Sequence, residues 1–344
     1  MSTASLATTP HDLRAVRFKP EVTLTDLGEK DPRYAGIWSP DYHDSLVRSF
    51  LQDQFLDDAD TYVSKYTSYD GWRPTLATAQ KFLNLPTAEP LNILDLGSGA
   101  GNSVFPLLDL FPKATLVASD LSIPLLRVLQ HKRMAEYSHR DCLVIQLNAE
   151  ELIFEDAQFD FVVGAAILHH LIDPENAIRE VYRVLKPGGF ALFFEPFEAG
   201  QQIMALAFKH LFTMNELHRA HNTGELIPKE VLNVFTRLRA DLEARKGSVK
   251  TDDIRKLDDK WLFARSYLER VAERCGFEDL AVYPLYGVRQ LFTTQVNTCL
   301  RLCLGKDHTC LPNWAQQLLS EYDQHFSIDT RQDLILEGGI VLKK

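Results

Sequence analysis

The sequence predicts an α/β protein built on a doubly wound, mostly parallel sheet of seven strands. Short apolar segments alternate with amphipathic helical segments from about residue 91 to residue 196, and the first of them runs directly into a glycine-rich loop. Two more strand-like segments, FEDLAVYP and LILEGGIVLKK, follow later. Because parallel strands need crossover connections, the alternation indicates parallel pairing with helices on both faces of the sheet.

The region before the sheet is predicted to be helical. Residues 1–20 are polar and rich in Ser and Thr, and we expect them to be disordered. Residues 21–90 are expected to form an N-terminal helical cap, because Leu46, Val47 and Phe50 recur at three- and four-residue spacing. The segment LPTAEP then reads as a linker rich in helix breakers.

The alternating region gives five strands and three helices in order. LNILDLG, ATLVASD, CLVIQLN, FDFVVGAAI and FALFFEP are the strands, and SVFPLLDLF is a short helix after the first. The helix after the second strand has Ser122 as its N-cap and Pro124 in its first turn, where proline loses no hydrogen bond. PENAIREVYRVL is amphipathic, and the proline and glycines of KPGG are expected to stop it.

The regular alternation ends at Pro196. Residues 91–344 are predicted to form one domain with helical insertions at about 197–258 and 285–330. WLFARSYLERVAERCG is an amphipathic helix that precedes the sixth strand. The mixed charges from Lys246 to Lys260 indicate a solvated connector.

Composition narrows the class of protein. The 344 residues are 45% hydrophobic and 24% charged, as in an ordinary globular protein, and the net charge of −10 argues against a nucleic-acid partner. The sequence has neither a signal-peptide pattern nor an apolar run of about 18 residues, so we expect a cytoplasmic protein without a membrane span. Five cysteines, an odd number, do not resemble a secreted disulfide framework. The oligomeric state stays open.

The loop after the first strand is the strongest functional signal. Gly97, Gly99 and Gly101 stand where a doubly wound sheet binds its ligand, and Asn102 takes the place of the third glycine of a dinucleotide fingerprint. Asp120 ends the second strand nineteen residues after Gly101, where a carboxylate can accept both hydroxyls of a ribose. Asp95 adds negative charge near the loop, which suits a ligand with a cationic group better than a pyrophosphate.

With these residues the sequence resembles the class I S-adenosylmethionine-dependent methyltransferases, in their small-molecule, type 11-like branch. The resemblance is carried from Asn92 to Pro196 by LDLGSGAGN, Asp120, LNAEEL and FDFVVGAAILHHLIDPENAIREVYRVLKPGG. It implies a Rossmann-like fold, S-adenosyl-L-methionine as cofactor, and a methyltransferase domain over residues 91–344.

The resemblance also implies roles for individual residues. The methionine end of the cofactor would be held by Asp95, Gly97, Ser98, Gly99 and Gly101. Asp120 would hold the ribose, and Leu121, Asn148 and Ala149 would border the adenine. Ala165 and Ala166 would line the wall near the sulfonium. Many relatives have an aspartate where Asn148 stands, but its amide oxygen can still accept from the adenine amino group.

Three residues are candidates for acid–base chemistry. His169 and His170 follow the fourth strand, at the ligand end of the sheet, and one of them could deprotonate an acceptor. If the backbone is still extended there, adjacent side chains point to opposite sides, so at most one faces the site. Both could instead pack against the following helix. Glu195 ends the fifth strand and could contact acceptor or cofactor, or be a buried structural acid.

Other clusters allow both a functional and a structural interpretation. Tyr62, Tyr66, Tyr69 and Trp72 could close over the cofactor or belong to the core. His218 and His221, three apart near Glu216, could bind a metal, as could Cys299, Cys303 and Cys310. Neither set has a complete ligand group, so we expect no metal site.

The predicted reaction is methyl transfer by in-line displacement to a small apolar or aromatic acceptor. An apolar lining is suggested by residues of the first insertion, namely Phe197, Met204, Phe208, Phe212 and Met214, although these could equally attach the insertion to the core. A protein or RNA methyltransferase, a catalytically inactive cofactor-binding regulator and a nicotinamide enzyme stay open as alternatives.

Overall fold

The structure is a computed structural model that describes residues 16–245, 254–285 and 287–344. Two compact units are present. The first contains the chain up to Phe193, together with Glu269–Ala281 and Ile340–Lys344, and the second contains Phe194–Leu268 and Val282–Gly339. The expectations for residues 1–15 and for most of the charged connector lie outside the described residues.

The sheet has nine strands in the described residues, not the seven predicted. Their order is β1-β2-β5-β4-β3-β6-β7-β9-β8. The strands are β1 (Thr25–Asp26), β2 (Ile37–Ser39), β3 (Asn92–Leu96), β4 (Thr115–Asp120), β5 (Cys142–Gln146), β6 (Phe159–Ala165), β7 (Leu185–Pro196), β8 (Asp279–Pro284) and β9 (Glu337–Lys343).

The seven-strand prediction was wrong because β1 and β2 are too short to show a period of two. They have two and three residues. β2 exists because Ile37 pairs in parallel with Val144 of β5, a contact between distant parts of the chain, and β1 then pairs antiparallel with β2. The predicted doubly wound, mostly parallel architecture is confirmed, since β2, β3, β4, β5 and β6 join through parallel pairs.

Twelve α-helices accompany these strands in the described ranges. They are α1 (Asp44–Phe50), α2 (Ala59–Tyr66), α3 (Tyr69–Phe82), α4 (Val104–Leu110), α5 (Ile123–Glu136), α6 (Pro174–Val184), α7 (Glu198–His221), α8 (Lys229–Ala244), α9 (Arg265–Cys275), α10 (Leu291–Leu304), α11 (Asn313–His325) and α12 (Ile328–Asp333). Within those ranges, none combines the length and the apolar character that crossing a membrane requires.

The predicted cap of α5 is confirmed, whereas KPGG differs from expectation. The Ser122 hydroxyl accepts the backbone N–H of Leu125 at 3.2 Å. α6 ends at Val184, but KPGG forms no separate loop and begins the long strand β7. The backbone of Gly188 and Gly189 exchanges hydrogen bonds with Lys344, so pairing with the end of the chain extends the strand.

The N-terminal segment is attached to the first unit from residue 16 onward. Val16 is buried, and Phe18 forms an isolated antiparallel bridge with Phe154, with ring centroids 5.3 Å apart. Residues 16–20 were expected to belong to a disordered terminus, but in the structure they contact the first unit.

The second unit has its own helical core. α7, α8, α10 and α11 bury a continuous apolar cluster in which the tilted rings of Phe208 and Phe235 have centroids 4.7 Å apart. The Asp323 carboxylate accepts the backbone N–H of Phe292 at 2.7 Å and so satisfies a donor at the start of α10. Met204 and Phe208, expected as possible lining of an acceptor pocket, belong to this core.

Candidate functional site

The first unit contains two adjoining cavities at the carboxyl ends of β3, β4 and β6. The larger has a volume of about 290 Å³ and the smaller about 50 Å³. Both cavities are bordered by Leu51, Gly97, Asp120, Ile167 and His170. This is the edge at which open α/β sheets bind ligands.

The three glycines of the loop after β3 all adopt left-handed backbone angles, with φ of +68° at Gly97, +50° at Gly99 and +99° at Gly101. A Cβ at Gly97 would lie 2.7 Å from Ile167, and one at Gly101 would lie 2.4 Å from Phe105. At Gly99 the nearest atom would be 3.9 Å away. Gly97 and Gly101 thus permit close packing that a side chain would prevent, whereas a Cβ at Gly99 would make only an ordinary van der Waals contact with Leu125.

Asp120 lies where the two cavities meet. Its Oδ2 accepts the backbone N–H of Gly99 and its Oδ1 that of Ser122, both at 2.8 Å. Part of Asp120 is exposed, but its carboxyl group lies deep in the protein. Loss of hydration therefore raises the pKa of Asp120, and the hydrogen bonds from backbone N–H groups oppose that rise. Each oxygen keeps a lone pair, so the carboxylate can accept two hydroxyls of one ligand.

Asp95 lies beneath the glycine loop and does not border either cavity. Burial raises the pKa of Asp95 to about 7, and the nearby Ser103 and Ser98 hydroxyls oppose that rise. Ser98 donates to Oδ1 at 2.9 Å, and Oδ2 has no hydrogen-bond partner in the described structure. A buried carboxylate oxygen without a donor is costly when charged and attracts a cation.

The smaller cavity is lined by residues that were predicted to border an adenine. Leu121, Asn148 and Ala149 lie on its wall. The Asn148 Oδ1 already accepts the backbone N–H of Glu150 at 3.0 Å, so one lone pair remains for a ligand. The sequence did not show that the Asn148 amide also holds a turn of its own backbone through this bond to Glu150.

Ala165 and Ala166 border the larger cavity, as the resemblance implied. Ala166 has φ of +61°, which is unusual for a residue with a Cβ. A strained residue at a cavity wall is typical of functional sites.

The backbone at the two histidines is not extended, so the condition under which their side chains would point to opposite sides does not hold. Leu168–His170 is a short 3-10 helix, because the chain turns immediately after β6, and the His169 and His170 rings lie 4.1 Å apart. His169 is buried, while His170 borders both cavities and packs edge-on against Phe55 at 5.2 Å.

The outer wall of the larger cavity comes from α1, α2, α3 and the segments between them, and it consists of Leu51, Phe55, Tyr62, Tyr66, Thr67 and Trp72. Three of the four aromatic residues considered as a lid are therefore on this wall. The fourth, Tyr69, donates its hydroxyl to the carbonyl of Ala100 at 3.3 Å. Leu51, Phe55 and Ile167 were missed, because their apolar spacing does not distinguish a cavity wall from a core.

The remaining candidates lie in the second unit. Glu195 is buried at the end of β7. His218 contacts the Thr223 hydroxyl at 3.2 Å and packs on Trp314, and Cys303 accepts a hydrogen bond from Arg237 at 3.1 Å. Burial raises the pKa of Cys299 to about 12, so this thiol is protonated at neutral pH.

Taken together, the parallel sheet, the glycine loop and the carboxylate at its edge define a Rossmann-like α/β protein. The family described as "Methyltransferase domain" matches residues 94–193. Residues 94–193 therefore carry a methyltransferase domain.

Among curated relatives, the demethylmenaquinone methyltransferase of Thermus thermophilus is 35% identical over 106 residues, which are 31% of this chain and 47% of that protein. The ubiquinone/menaquinone biosynthesis C-methyltransferase UbiE of Shewanella baltica is 31% identical over 141 residues, 41% of this chain and 55% of that protein. The chain thus spans about half the length of the relatives it matches.

A solved structure, phosphoethanolamine N-methyltransferase 2 of Haemonchus contortus in complex with S-adenosyl-L-methionine, is 18% identical with a TM-score of 0.46. The match covers 88% of this chain and 57% of that one. Similarity at this level says nothing about the substrate.

Proposed function

We propose that this protein is an enzyme that transfers the methyl group of S-adenosyl-L-methionine to a small apolar or aromatic acceptor. The observation that supports it most is the position of Asp120. Its carboxylate lies where the larger and the smaller cavity meet, with a free lone pair on each oxygen.

The residues around the two cavities fit this cofactor. Asp120 would accept both ribose hydroxyls, and the smaller cavity, with Leu121, Asn148 and Ala149, would take the adenine. The methionine end would lie in the larger cavity beside Gly99. When bound, the cofactor supplies a methyl group already activated on a sulfonium, so the protein's main tasks are to align the acceptor and exclude water.

Asp95 would act through its charge from beneath the loop. Its unpartnered Oδ2 is a buried acceptor that a nearby ammonium would stabilise in the ionised form. Through Ser98, whose hydroxyl also accepts the backbone N–H of Ser119 at 2.9 Å, Asp95 keeps the loop attached to β4.

The acceptor is inferred from the outer wall of the larger cavity. Phe55, Tyr62, Tyr66 and Trp72 contribute aromatic surface, and no lysine or arginine of the described residues lines the cavity. Such a wall suits a flat uncharged ring better than a phosphate or a carboxylate. The names of the two curated relatives refer to demethylmenaquinone and to ubiquinone/menaquinone biosynthesis. The acceptor class we propose is therefore a quinone-type ring in its reduced, hydroxylated form.

His170 is the residue we propose as general base. It borders both cavities, whereas His169 lines neither. A hydroxylated ring must lose a proton as it is methylated, and an imidazole within reach of the acceptor can accept it. Glu195, buried at the end of β7, stays a candidate for contact with the acceptor or the cofactor.

Two measurements test this function. Calorimetry should show binding of S-adenosylhomocysteine and none of NAD, and Asp120→Asn should weaken that binding with the fold intact. Incubation with methyl-labelled cofactor and an extract separated into small metabolites, protein and RNA should place the label in the small-metabolite fraction. Label in protein or RNA would overturn the acceptor class, and binding without any transfer would indicate a regulatory protein.

A further inference from the structure

We propose that Asn102 is a positioning residue that fastens the aromatic wall of the cavity to the cofactor loop. The proposal deepens the function above and rests on it. Asn102 follows Gly101 at the end of the glycine loop. Its side-chain amide binds the turn between α2 and α3, so this one side chain joins the glycine loop to the aromatic wall of the larger cavity.

The geometry of the amide is specific. The Asn102 Oδ1 accepts the backbone N–H of Ser68 at 2.8 Å, and the Nδ2 donates to the backbone carbonyl of Tyr66 at 3.0 Å. These two bonds bracket Thr67, which lines the cavity. Only one orientation of the amide satisfies both partners, because the N–H needs an oxygen and the carbonyl needs an N–H.

Asn102 supplies hydrogen-bond partners at the ends of two helices. Ser68 is the N-cap residue of α3 and makes no side-chain capping bond, and Tyr66 is the last residue of α2. Helix ends leave N–H and carbonyl groups without intrahelical partners, and Asn102 supplies a partner to one group from each helix. An aspartate would keep the bond to Ser68 but place a negative oxygen against the Tyr66 carbonyl.

The rest of α3 is attached to the first unit by other contacts. The ring of Tyr69 packs edge-on against Phe105 at 5.0 Å, and the Lys132 ammonium lies 4.9 Å from the same tyrosine ring. Further along, Arg73 forms an ion pair with Asp109 at 2.5 Å. Removing Asn102 should therefore release the α2–α3 turn, with Tyr66 and Thr67, while α3 itself stays folded.

The consequence is a coupling between the two ligands. A cofactor that orders the glycine loop also fixes Asn102, which in turn fixes the wall against which the acceptor binds. When one ligand orders a segment that a second ligand needs, the second ligand binds more tightly. The effect is reciprocal, so the second ligand also tightens the binding of the first. Asn102, which takes the place of the third glycine of a dinucleotide fingerprint, thus links the glycine loop to the aromatic wall.

Amide hydrogen exchange on the full chain tests this proposal, with peptides covering residues 59–82 followed with and without S-adenosylhomocysteine. In the wild-type protein the ligand should slow exchange in these peptides. Asn102→Ala should exchange faster there without ligand, lose the ligand-dependent protection and bind S-adenosylhomocysteine about tenfold more weakly, or about 1.4 kcal/mol. Asn102→Asp keeps the bond to the Ser68 N–H but sets a carboxylate oxygen against the Tyr66 carbonyl, so its peptides from residues 59–82 should also exchange faster than those of wild type.

The matched control is Arg73→Gln, which breaks the ion pair to Asp109 on the same helix without touching the turn. It should bind S-adenosylhomocysteine within twofold of wild type and keep the protection. Wild-type exchange and affinity in Asn102→Ala would overturn the proposal. If the wild-type protein bound no S-adenosylhomocysteine, the proposed function would fail. Exchange without ligand would then still decide whether Asn102 fastens the turn.

Discussion

Replacing Asp95 with asparagine should change how the stability of the first unit depends on pH. Asp95 is fully buried, and its pKa rises from an ordinary 3.8 to about 7 because the charged form loses its hydration. A carboxyl with a higher pKa in the folded chain than in the unfolded chain binds its proton more tightly when folded. It therefore stabilises the fold at low pH, and that stabilisation is lost as the pH rises from about 4 to about 7.

The magnitude follows from these two pKa values. Each tenfold difference in proton affinity is worth about 1.4 kcal/mol, so between pH 4.5 and pH 8 the wild-type protein should lose about 3 kcal/mol through Asp95 alone. Asp95→Asn cannot titrate. We compare the two proteins by subtracting the unfolding free energy of wild type from that of Asp95→Asn. This difference should rise by about 3 kcal/mol between pH 4.5 and pH 8. Any cost of burying the amide is the same at every pH and does not affect the rise.

The assay is urea unfolding at several pH values from 4.5 to 8, read by pulsed hydrogen exchange on peptides from residues 92–120. This keeps the second unit out of the measurement, and the difference between the two proteins cancels every other titrating group. Parallel pH curves for the two proteins would refute the reasoning. Because a bound ammonium favours the ionised carboxylate, S-adenosylhomocysteine should also bind wild type more tightly as the pH rises through about 7, and Asp95→Asn should not show this rise.

Three further predictions concern the cavity itself. Asp120→Asn should weaken S-adenosylhomocysteine binding by about 30-fold or more in calorimetry, since an NH₂ group replaces an oxygen that accepts a backbone N–H; unchanged affinity would contradict the ribose assignment. His170→Phe should keep the ring packing and the cofactor affinity but lower turnover by about 10² to 10⁴, and full activity would remove it as the base. Gly101→Ala should lower the unfolding free energy by about 2 kcal/mol more than Gly188→Ala in urea titrations, because both have positive φ but only Gly101 faces a neighbour, at 2.4 Å; equal losses would argue against the close contact.

The local signals in the sequence were sufficient for the parallel sheet and for the ligand end of the domain. Strand β3, its three glycines and the acid at the end of β4 are recognisable because turn chemistry and apolar periodicity act over a few residues. The same locality explains the errors. β2 is three residues long and depends on pairing with β5, and β7 begins at Leu185 because its early residues pair with the end of the chain.

The sequence by itself determined the fold class, the glycine loop and Asp120 as the centre of the candidate site. Only the tertiary structure decided which aromatic side chains face the cavity, that His170 and not His169 borders it, and that Asn102 reaches the α2–α3 turn. Backbone angles and strand periods are set by neighbours along the chain. A cavity wall is set by contacts between segments that lie far apart in sequence, such as Ser68 and Asn102, which are 34 positions apart.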